Sequence, residues 1–226
     1  MIPLRDANPT QRLPVVTILL IVSNVAVFLI ELLAEAQGSL GPFIERWGVI
    51  PAELSSQPLA ELPTVFSSMF LHGGWAHLLG NMLFLWIFGD NIEDRLGSAR
   101  YLLLYVLAGT VAVFAQWLTG PQSLLPMIGA SGAISGVLGA YLIEFPRARV
   151  TTLLFYFVVQ VPAVLVLGGW FVIQFFQGVA SLGAAEMEMG GVAFFAHVGG
   201  FVAGVVLIKP LALGRSAGRR DRLDWD

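Results

Sequence analysis

Long apolar stretches recur along the sequence and are separated by less apolar connections. They cover residues 15–33, 75–88 (extending to 92), 101–118, 127–143, 162–179 and 191–208. A helix needs about 20 mainly apolar residues to cross the hydrocarbon core of a bilayer. The pattern therefore predicts an all-α, polytopic membrane protein with six transmembrane helices.

The apolar stretch from residue 150 to residue 179 is too long for one span. A continuous helix of that length would measure about 45 Å, against a hydrocarbon core of about 30 Å. Pro162 interrupts the stretch, and proline is favoured at the first position of a helix. We expect the fifth helix to begin at Pro162, after an interfacial or partly buried lead-in over residues 150–161.

The first apolar segment allows two interpretations. It follows Arg5 and Arg12 and ends near Ala34-Glu35-Ala36, an order that resembles a signal peptide and its cleavage site. Its apolar core is longer than that of a usual signal peptide. This length favours a first transmembrane helix that is retained.

The basic residues predict the orientation of the helices, because Lys and Arg concentrate in cytoplasmic loops. With six spans and a cytoplasmic N-terminus, only Arg46 of the 12 basic residues lies outside. We therefore predict cytoplasmic segments at residues 1–14 and 209–226, around a membrane domain of residues 15–208. Residues 37–63 form the longest external connection and are apolar enough to be partly embedded in the membrane.

Composition agrees with this location and excludes several kinds of chemistry. The 226 residues are 57% hydrophobic and 12% charged, whereas soluble domains have about 25% charged residues. Cysteine is absent, which excludes disulfides, thiolate catalysis and metal sites with Cys ligands. The net charge is −3. The sequence has no basic stripe interleaved with aromatic residues, and it therefore does not predict a nucleic-acid partner.

Four polar side chains interrupt the apolar segments close to one side of the predicted membrane. His77 and Asn81 lie near the start of the second helix, Ser131 opens the fourth, and His197 lies about two turns into the sixth. In the predicted topology all three helices start at the outer side, so the four residues lie within about 10 Å of that boundary. Polar groups are costly in lipid, and their convergence therefore predicts a functional site.

A hydroxyl and an imidazole at one depth can serve as a nucleophile and its general base. We expect Ser131 to attack a peptide carbonyl while His197 takes its proton. The Ser131 backbone N–H and the side chains of His77 and Asn81 are candidate donors to the oxyanion. No Asp or Glu lies at this depth to orient His197, so we expect a dyad rather than a triad. Glycines on the fourth and sixth helices permit the close approach that the dyad requires.

Three short motifs resemble those of the rhomboid family of intramembrane serine proteases. Residues 77–81 (His-Leu-Leu-Gly-Asn) resemble its H-x-x-x-N motif, and residues 129–132 (Gly-Ala-Ser-Gly) resemble G-x-S-G. Residues 196–204 resemble A-H-x-x-G-x-x-x-G, and residues 93–97 resemble a structural element with the pattern E-x-R. The resemblance extends over residues 15–208.

The resemblance implies a rhomboid-like bundle in which Ser131 is the nucleophile, His197 is the base, and His77 and Asn81 donate to the oxyanion. It also implies transmembrane protein substrates in a lipid bilayer and chemistry without a cofactor or a metal. One position departs from the family. Many members carry an aromatic residue four positions after the nucleophile, where this chain has Ser135; we expect a phenylalanine at 194 or 195 to replace it beside the base.

Other residues have two interpretations. His72, just before the second helix, is best explained as part of an interfacial turn anchored by Trp75. The aromatic residues of the fifth helix either form a lateral gate for a substrate helix or simply face lipid. These are Trp170, Phe171, Phe175 and Phe176.

Two rival functions remain to be separated from proteolysis. A relative that binds transmembrane clients without cleaving them would resemble this fold while lacking the dyad. A small transporter or channel would carry acidic residues or broken helices at mid-membrane.

The short tails and compact form favour the plasma membrane of a prokaryote as the location.

Overall fold

The structure is a computed structural model that describes residues 2–182 and 193–214, and it is mainly helical. The helices of these residues are α1 (Val15–Ala36), α2 (Leu40–Trp47), α3 (Pro51–Ser56), α4 (Leu62–Ser67), α5 (Trp75–Leu96), α6 (Ser98–Trp117), α7 (Ser131–Glu144), α8 (Ala163–Ser181) and α9 (Phe194–Ala212). The strands are β1 (Ile2–Asp6), β2 (Arg149–Leu154) and β3 (Phe157–Pro162).

Four helices of the described residues are long and apolar enough to cross a membrane: α1, α6, α8 and α9. The other two predicted spans correspond to α5 and α7. Helix α5 has 22 residues but carries charged residues in its last two turns. Helix α7 is apolar but has only 14 residues, about 21 Å of helix.

The prediction of an all-α fold is wrong at the connection between α7 and α8. The predicted interfacial or partly buried lead-in is not helical, because β2 and β3 form an antiparallel hairpin and β1 pairs with β2 in a three-stranded sheet. Val150 lies opposite Val161, and Thr152 lies opposite Val159. These β-branched residues favour strands, whereas their apolar character alone also fits a helix. Pro162 ends β3, so α8 begins one residue later than predicted.

The start of α7 also differs from the prediction, which placed it at residue 127. The backbone of Met127 instead pairs with that of Val49, with Met127 N donating to Val49 O at 2.7 Å and Val49 N donating to Met127 O at 3.1 Å. The helix therefore begins at Ser131. The predicted start of the last span at residue 191 lies outside the described residues.

Helix α7 occupies the centre of the bundle, where every residue from Gly132 to Tyr141 is buried. Helix α9 crosses it in backbone contact. A Cβ atom added to Gly200 would overlap the carbonyl of Gly132, and one added to Gly204 would overlap the carbonyl of Gly136. Only glycine permits so short a distance between the backbones of the two helices. This close approach brings the first turns of α7 and α9 together.

The end of the bundle that carries the sheet is held by carboxylates with several partners. Glu93 accepts hydrogen bonds from the backbone N–H groups of Val16 and Thr17 at 2.9 and 2.8 Å and from Ser98 Oγ at 2.6 Å. It thus satisfies the free donors at the start of α1. Two residues later, Arg95 Nε donates to Glu144 at 2.5 Å.

The predicted external loop over residues 37–63 folds into α2 and α3 and packs against α6 together with α4. Its buried side chains include Val49 and Leu54, which form a small apolar cluster with Val65 and Val113. Trp117 Nε1 donates to Ser55 Oγ at 2.9 Å. The loop is therefore a folded layer over the end of α6 nearest to Ser131.

Candidate active site

Ser131 and His197 meet where the first turns of α7 and α9 come together. Ser131 Oγ lies 2.8 Å from His197 Nε2, although the residues are 66 positions apart in the sequence. A hydroxyl at this distance donates to an unprotonated imidazole nitrogen. The geometry suits transfer of the hydroxyl proton to the imidazole.

The turn before α7 fixes the position of Ser131. Gly129 has φ +126°, a conformation that residues with a side chain rarely adopt. A Cβ atom there would lie 2.7 Å from His77 Cε1 and 2.8 Å from His77 Nε2. Glycine is thus needed at position 129 both for the backbone turn and for the approach of His77.

His77 and Asn81 lie one turn apart on α5 and line the same cavity as Ser131. The backbone N–H of Gly73 lies 3.3 Å from His77 Nδ1 and donates to it. This places the ring proton on Nε2, the nitrogen beside Gly129. Among the described residues, buried Asn81 Nδ2 has no hydrogen-bond partner. Both side chains therefore keep an N–H donor available at the cavity.

The second nitrogen of His197 has a partner that the sequence analysis did not identify. Gln174 Oε1, on α8, lies 2.7 Å from His197 Nδ1. On α6, Gln116 Oε1 accepts from the backbone N–H groups of Phe195 and Ala196 at 3.0 and 3.3 Å, and so caps the start of α9. An amide within an apolar span was the available signal for both glutamines.

A different aromatic residue from the expected ones packs beside His197. The Trp170 ring, on α8, has its centroid 5.8 Å from that of His197. Phe194 and Phe195 instead lie next to Gly178, so the expectation that one of them replaces the missing aromatic is wrong. Ser135, at the position of that aromatic, donates to the Ser131 carbonyl at 2.6 Å.

The cavity beside the dyad has a volume of about 900 Å³. Its lining residues come mainly from α5, α7, α8 and α9, with others from α3, the end of α6 and the connection between α6 and α7. Those that bear polar groups include His77, Asn81, Gln116, Ser131, Gln174 and His197. A water molecule occupies about 30 Å³ in the liquid, so this space is large enough for a peptide segment and water.

His72 is buried beside this site and makes structural contacts. Its backbone N–H donates to Glu31 Oε1 at 3.0 Å, and its ring lies edge-on to His77 with centroids 5.0 Å apart. Burial, and next the charge of nearby His77, lower the pKa of His72 to about 4. His72 is therefore neutral at physiological pH, in agreement with a structural role.

The aromatic residues of α8 divide into two pairs. Phe171 stacks on Phe201 with ring centroids 4.6 Å apart, and Trp170 packs beside His197 on the same side of α8. Phe175 and Phe176 are exposed and contact each other. Helix α8 thus holds α9 through one pair and presents the other to its surroundings.

Comparison with protein families explains this combination of motifs and geometry. The Rhomboid domain matches residues 59–213, more than half of the chain. The chain belongs to the rhomboid family. It is therefore an integral, multi-pass membrane protein, and the matched region of this rhomboid includes every candidate site residue.

Relatives of this rhomboid occur in bacteria and in eukaryotic organelles. Rhomboid protein 1, mitochondrial, of Saccharomyces cerevisiae is 33% identical over 150 residues, which are 63% of this chain and 40% of the yeast protein. The rhomboid protease GluP of Bacillus subtilis is 44% identical over 78 residues, 34% of this chain and 15% of that relative. The putative rhomboid protease YdcA of the same organism is 37% identical over 78 residues, which are 34% of this chain and 39% of YdcA. The chain therefore spans less than half the length of these relatives.

Proposed function

We propose that this rhomboid is an intramembrane serine protease that hydrolyses peptide bonds in or near transmembrane helices of other membrane proteins. The observation that supports this most strongly is the 2.8 Å contact between Ser131 Oγ and His197 Nε2 at the wall of a large cavity. Two relatives are named as rhomboid proteases, one of them as a putative one, which adds support from the family.

The first half of the reaction forms an acyl-enzyme. Ser131 Oγ attacks the carbonyl carbon of the scissile peptide while its proton passes to His197 Nε2. The oxyanion accepts hydrogen bonds from the Ser131 backbone N–H, His77 Nε2–H and Asn81 Nδ2–H. When the C–N bond breaks, His197 Nε2–H gives its proton to the leaving amine.

The second half releases the remaining product. A water molecule in the cavity gives a proton to His197 Nε2 as its oxygen attacks the ester carbonyl. The tetrahedral intermediate then collapses, and the proton returns from His197 to Ser131 Oγ. The product carries a new carboxyl group, and the enzyme regains its initial state without a cofactor or a metal.

The proposed topology places six spans in the bilayer, with α5 and α7 added to the four longest apolar helices and both termini in the cytoplasm. Residues 37–63 are then external and partly embedded. In this arrangement Ser131, at the outer end of short α7, lies below the membrane surface and is reached through the cavity. The free N–H groups at the start of α7 require such a polar space.

A substrate helix would enter between α5 and α8, since residues of both helices line the cavity. The exposed pair Phe175 and Phe176 would then form part of a lateral gate. An extended peptide must replace a helical one at Ser131, so helices with Gly or Pro near the cleavage site should be favoured because they unwind at lower cost.

For the location, we retain the prokaryotic plasma membrane as a proposal that rests on the compact helical form. Names of relatives include mitochondrial as well as bacterial proteins, so the comparisons do not favour it. Fractionation of the native host, with the protein detected by antibody, tests this location.

A fluorophosphonate probe, which reacts with activated serines, tests the proposed activity. We expect the wild type to be labelled and to cleave a helical reporter, while Ser131→Ala and His197→Ala are folded, unlabelled and inactive. Ser135→Ala is the matched control, because Ser135 lies one turn further along α7 and should leave labelling intact. A wild type that is unlabelled and inactive in both detergent and liposomes would contradict the proposal and favour a client-binding protein.

A further inference from the structure

Gln174 is the polar residue of α8 that reaches the candidate site. It lies near the middle of the helix, is half-buried, and lines the cavity. An amide within an apolar membrane helix is costly unless it is hydrogen-bonded. Its Oε1 atom lies 2.7 Å from His197 Nδ1, so the amide is satisfied by the imidazole of the dyad.

This contact determines which nitrogen of His197 carries the proton. A carbonyl oxygen can only accept a hydrogen bond, so Nδ1 must be the protonated nitrogen. Nε2 then presents its lone pair to Ser131 Oγ, 2.8 Å away. The other tautomer would turn an N–H toward Ser131 and leave the hydroxyl without a base.

A second residue on the same side of α8 supports the imidazole. Trp170 lies one turn before Gln174, and residues four apart share a helix face. Its ring packs beside His197, and Phe171 stacks on Phe201. The orientation of His197 therefore depends on where α8 lies relative to α9.

We propose that Gln174 is a positioning residue that holds His197 in the tautomer with Nδ1 protonated, so that Ser131 is activated only when α8 is packed against α9. This inference rests on the proposed protease activity. It adds that the helix beside the substrate path also controls the general base.

Three variants of α8 test the role of Gln174. Gln174→Met keeps the side-chain length and removes the carbonyl, and Gln174→Glu restores an acceptor. The matched control is Gln177→Met, because Gln177 is exposed on the same helix. Loss of a hydrogen bond to a group that becomes charged should lower kcat of Gln174→Met about 10–100-fold with little change in KM. Gln174→Glu should recover most of that loss, and Gln177→Met should match the wild type.

The 15N chemical shifts of the His197 ring provide a readout that is independent of turnover. The signals are assigned by their loss in His197→Ala, and in the wild type they should show Nδ1 protonated. Protonation at Nε2, or a wild-type kcat for Gln174→Met, would overturn the inference even if the protein is a protease. An inactive wild type with Nδ1 protonated would instead contradict the proposed function and leave the tautomer assignment standing.

A separate observation concerns the β2–β3 hairpin, whose turn we call the aromatic tip (residues 155–157). The exposed fractions of its side chains are 82% for Phe155, 95% for Tyr156 and 72% for Phe157. Three large apolar or aromatic side chains in a row are rarely left in water. The aromatic tip therefore needs a partner.

The position of the hairpin indicates what covers the tip. Val150 and Thr152 of β2 are fully buried, so the strand lies across the end of the bundle instead of projecting away from it. The aromatic tip then extends past the edge of the bundle. The hairpin leads directly into α8, where Val164 and Leu165 are exposed on a proposed membrane span.

Basic residues accompany this apolar surface. Arg147 and Arg149 are exposed at the base of the hairpin, and exposed Arg5 pairs in register with Thr151. Aromatic residues concentrate at membrane interfaces, and basic residues near them are attracted to anionic lipids. We propose that the aromatic tip inserts into the headgroup region of an anionic leaflet at the end of the bundle opposite Ser131.

Because the sequence has no cysteine, Tyr156→Cys gives a single site for a nitroxide label. Gln160→Cys, exposed on β3 nearer the base of the hairpin, is the matched control. In proteoliposomes that contain phosphatidylglycerol, we expect the label at 156 to be relaxed more by oxygen than by a water-soluble nickel chelate, and the label at 160 to show the reverse. Equal exposure of both labels to the nickel chelate would overturn the proposal. Spin–spin broadening at 156 would also overturn it, because it would show contact with a second copy.

Discussion

The two ends of α5 use the same kinds of polar residue in opposite ways. Near its start, His77 and Asn81 face a cavity, and Asn81 Nδ2 has no partner among the described residues. Near its end, Asn91 Nδ2 donates to both Asp6 and Asp90 at 3.1 and 2.8 Å. Buried polar groups are normally paired, so an unpaired donor beside a cavity indicates readiness for a ligand.

The difference between the two ends predicts a separation of mutational effects. Changes at the cavity should reduce activity while leaving stability intact, and changes at the end with the sheet should reduce stability while leaving the activity of each folded molecule intact. Four predictions test this separation.

The largest effect should follow His197→Ala, which removes the general base. We expect reporter cleavage to fall by more than about a thousandfold, as for the loss of a base in other serine hydrolases. The thermal unfolding midpoint in detergent should remain close to that of the wild type. A variant that retains most of its activity would contradict the assignment of His197 as the base.

Asn81→Ala should have the next largest effect, with kcat about 100–1000-fold lower, the usual cost of one oxyanion donor. The stability of this variant should not fall, because the buried amide donor that the mutation removes has no partner among the described residues of the wild type. Asn91→Ala on the same helix is the matched control and should show the reverse: lower stability and unchanged kcat per folded molecule. Equal losses of kcat in the two variants would contradict the comparison.

Glu93→Gln should act on stability alone. The carboxylate accepts from two backbone N–H groups at the start of α1 and from the hydroxyls of Thr17 and Ser98. The NH2 group of glutamine would face one or more of these donors and could not accept their hydrogen bonds. We expect this to lower the free energy of unfolding by about 1.5–3 kcal/mol. Denaturant titration checks this value, and exposed Glu35→Gln should change stability by less than about 0.5 kcal/mol. A loss of kcat in Glu93→Gln without a loss of stability would contradict the structural role of Glu93.

The smallest predicted effect is a pH dependence of stability that arises from Asp6. Burial chiefly raises the pKa of Asp6 from 3.8 to about 7, and the nearby charge of Asp90 adds to this, while hydrogen bonding from Tyr141 opposes it. The folded state then holds a proton that the unfolded state loses above its lower pKa, so stability falls as the pH rises toward 7.

Thermal unfolding at about pH 5 and about pH 7.5 measures this effect. We expect the midpoint of the wild type to fall by a few degrees between these values and the midpoint of Asp6→Asn to fall less. Asparagine keeps an oxygen for Tyr141 but cannot titrate. A variant with the same pH dependence as the wild type would show that other groups cause it.

The sequence was sufficient to predict four polar residues of the cavity, because each interrupts an otherwise apolar segment. These are His77, Asn81, Ser131 and His197, whereas Gln116 and Gln174 were missed. It also predicted that glycines allow the fourth and sixth spans to meet, and residues 132–136 and 200–204 do so in backbone contact. The starts of α1 and α5 agree with the predicted residues. These features depend on local composition, which is visible without coordinates.

Other features depend on how separate elements are rotated and paired. Whether Gln174 or Gln177 reaches His197 is decided by the rotation of α8 about its axis. The β2–β3 hairpin was missed because a run of valines and aromatics fits a buried helix as well as a strand. The pairing of β1 with β2 joins residues about 150 positions apart, for which single-sequence patterns give no signal.

The glycine contacts between α7 and α9 have a consequence for how the molecule can move. Two backbones in direct contact have no layer of side chains between them that could rearrange, so these helices should behave as one rigid unit. Their amide hydrogens should exchange with deuterium most slowly, while those of α8, whose surface is largely exposed, should exchange faster. The rate at which a peptide gains entry would then be set by the motion of α8, with the reacting atoms held still beside it.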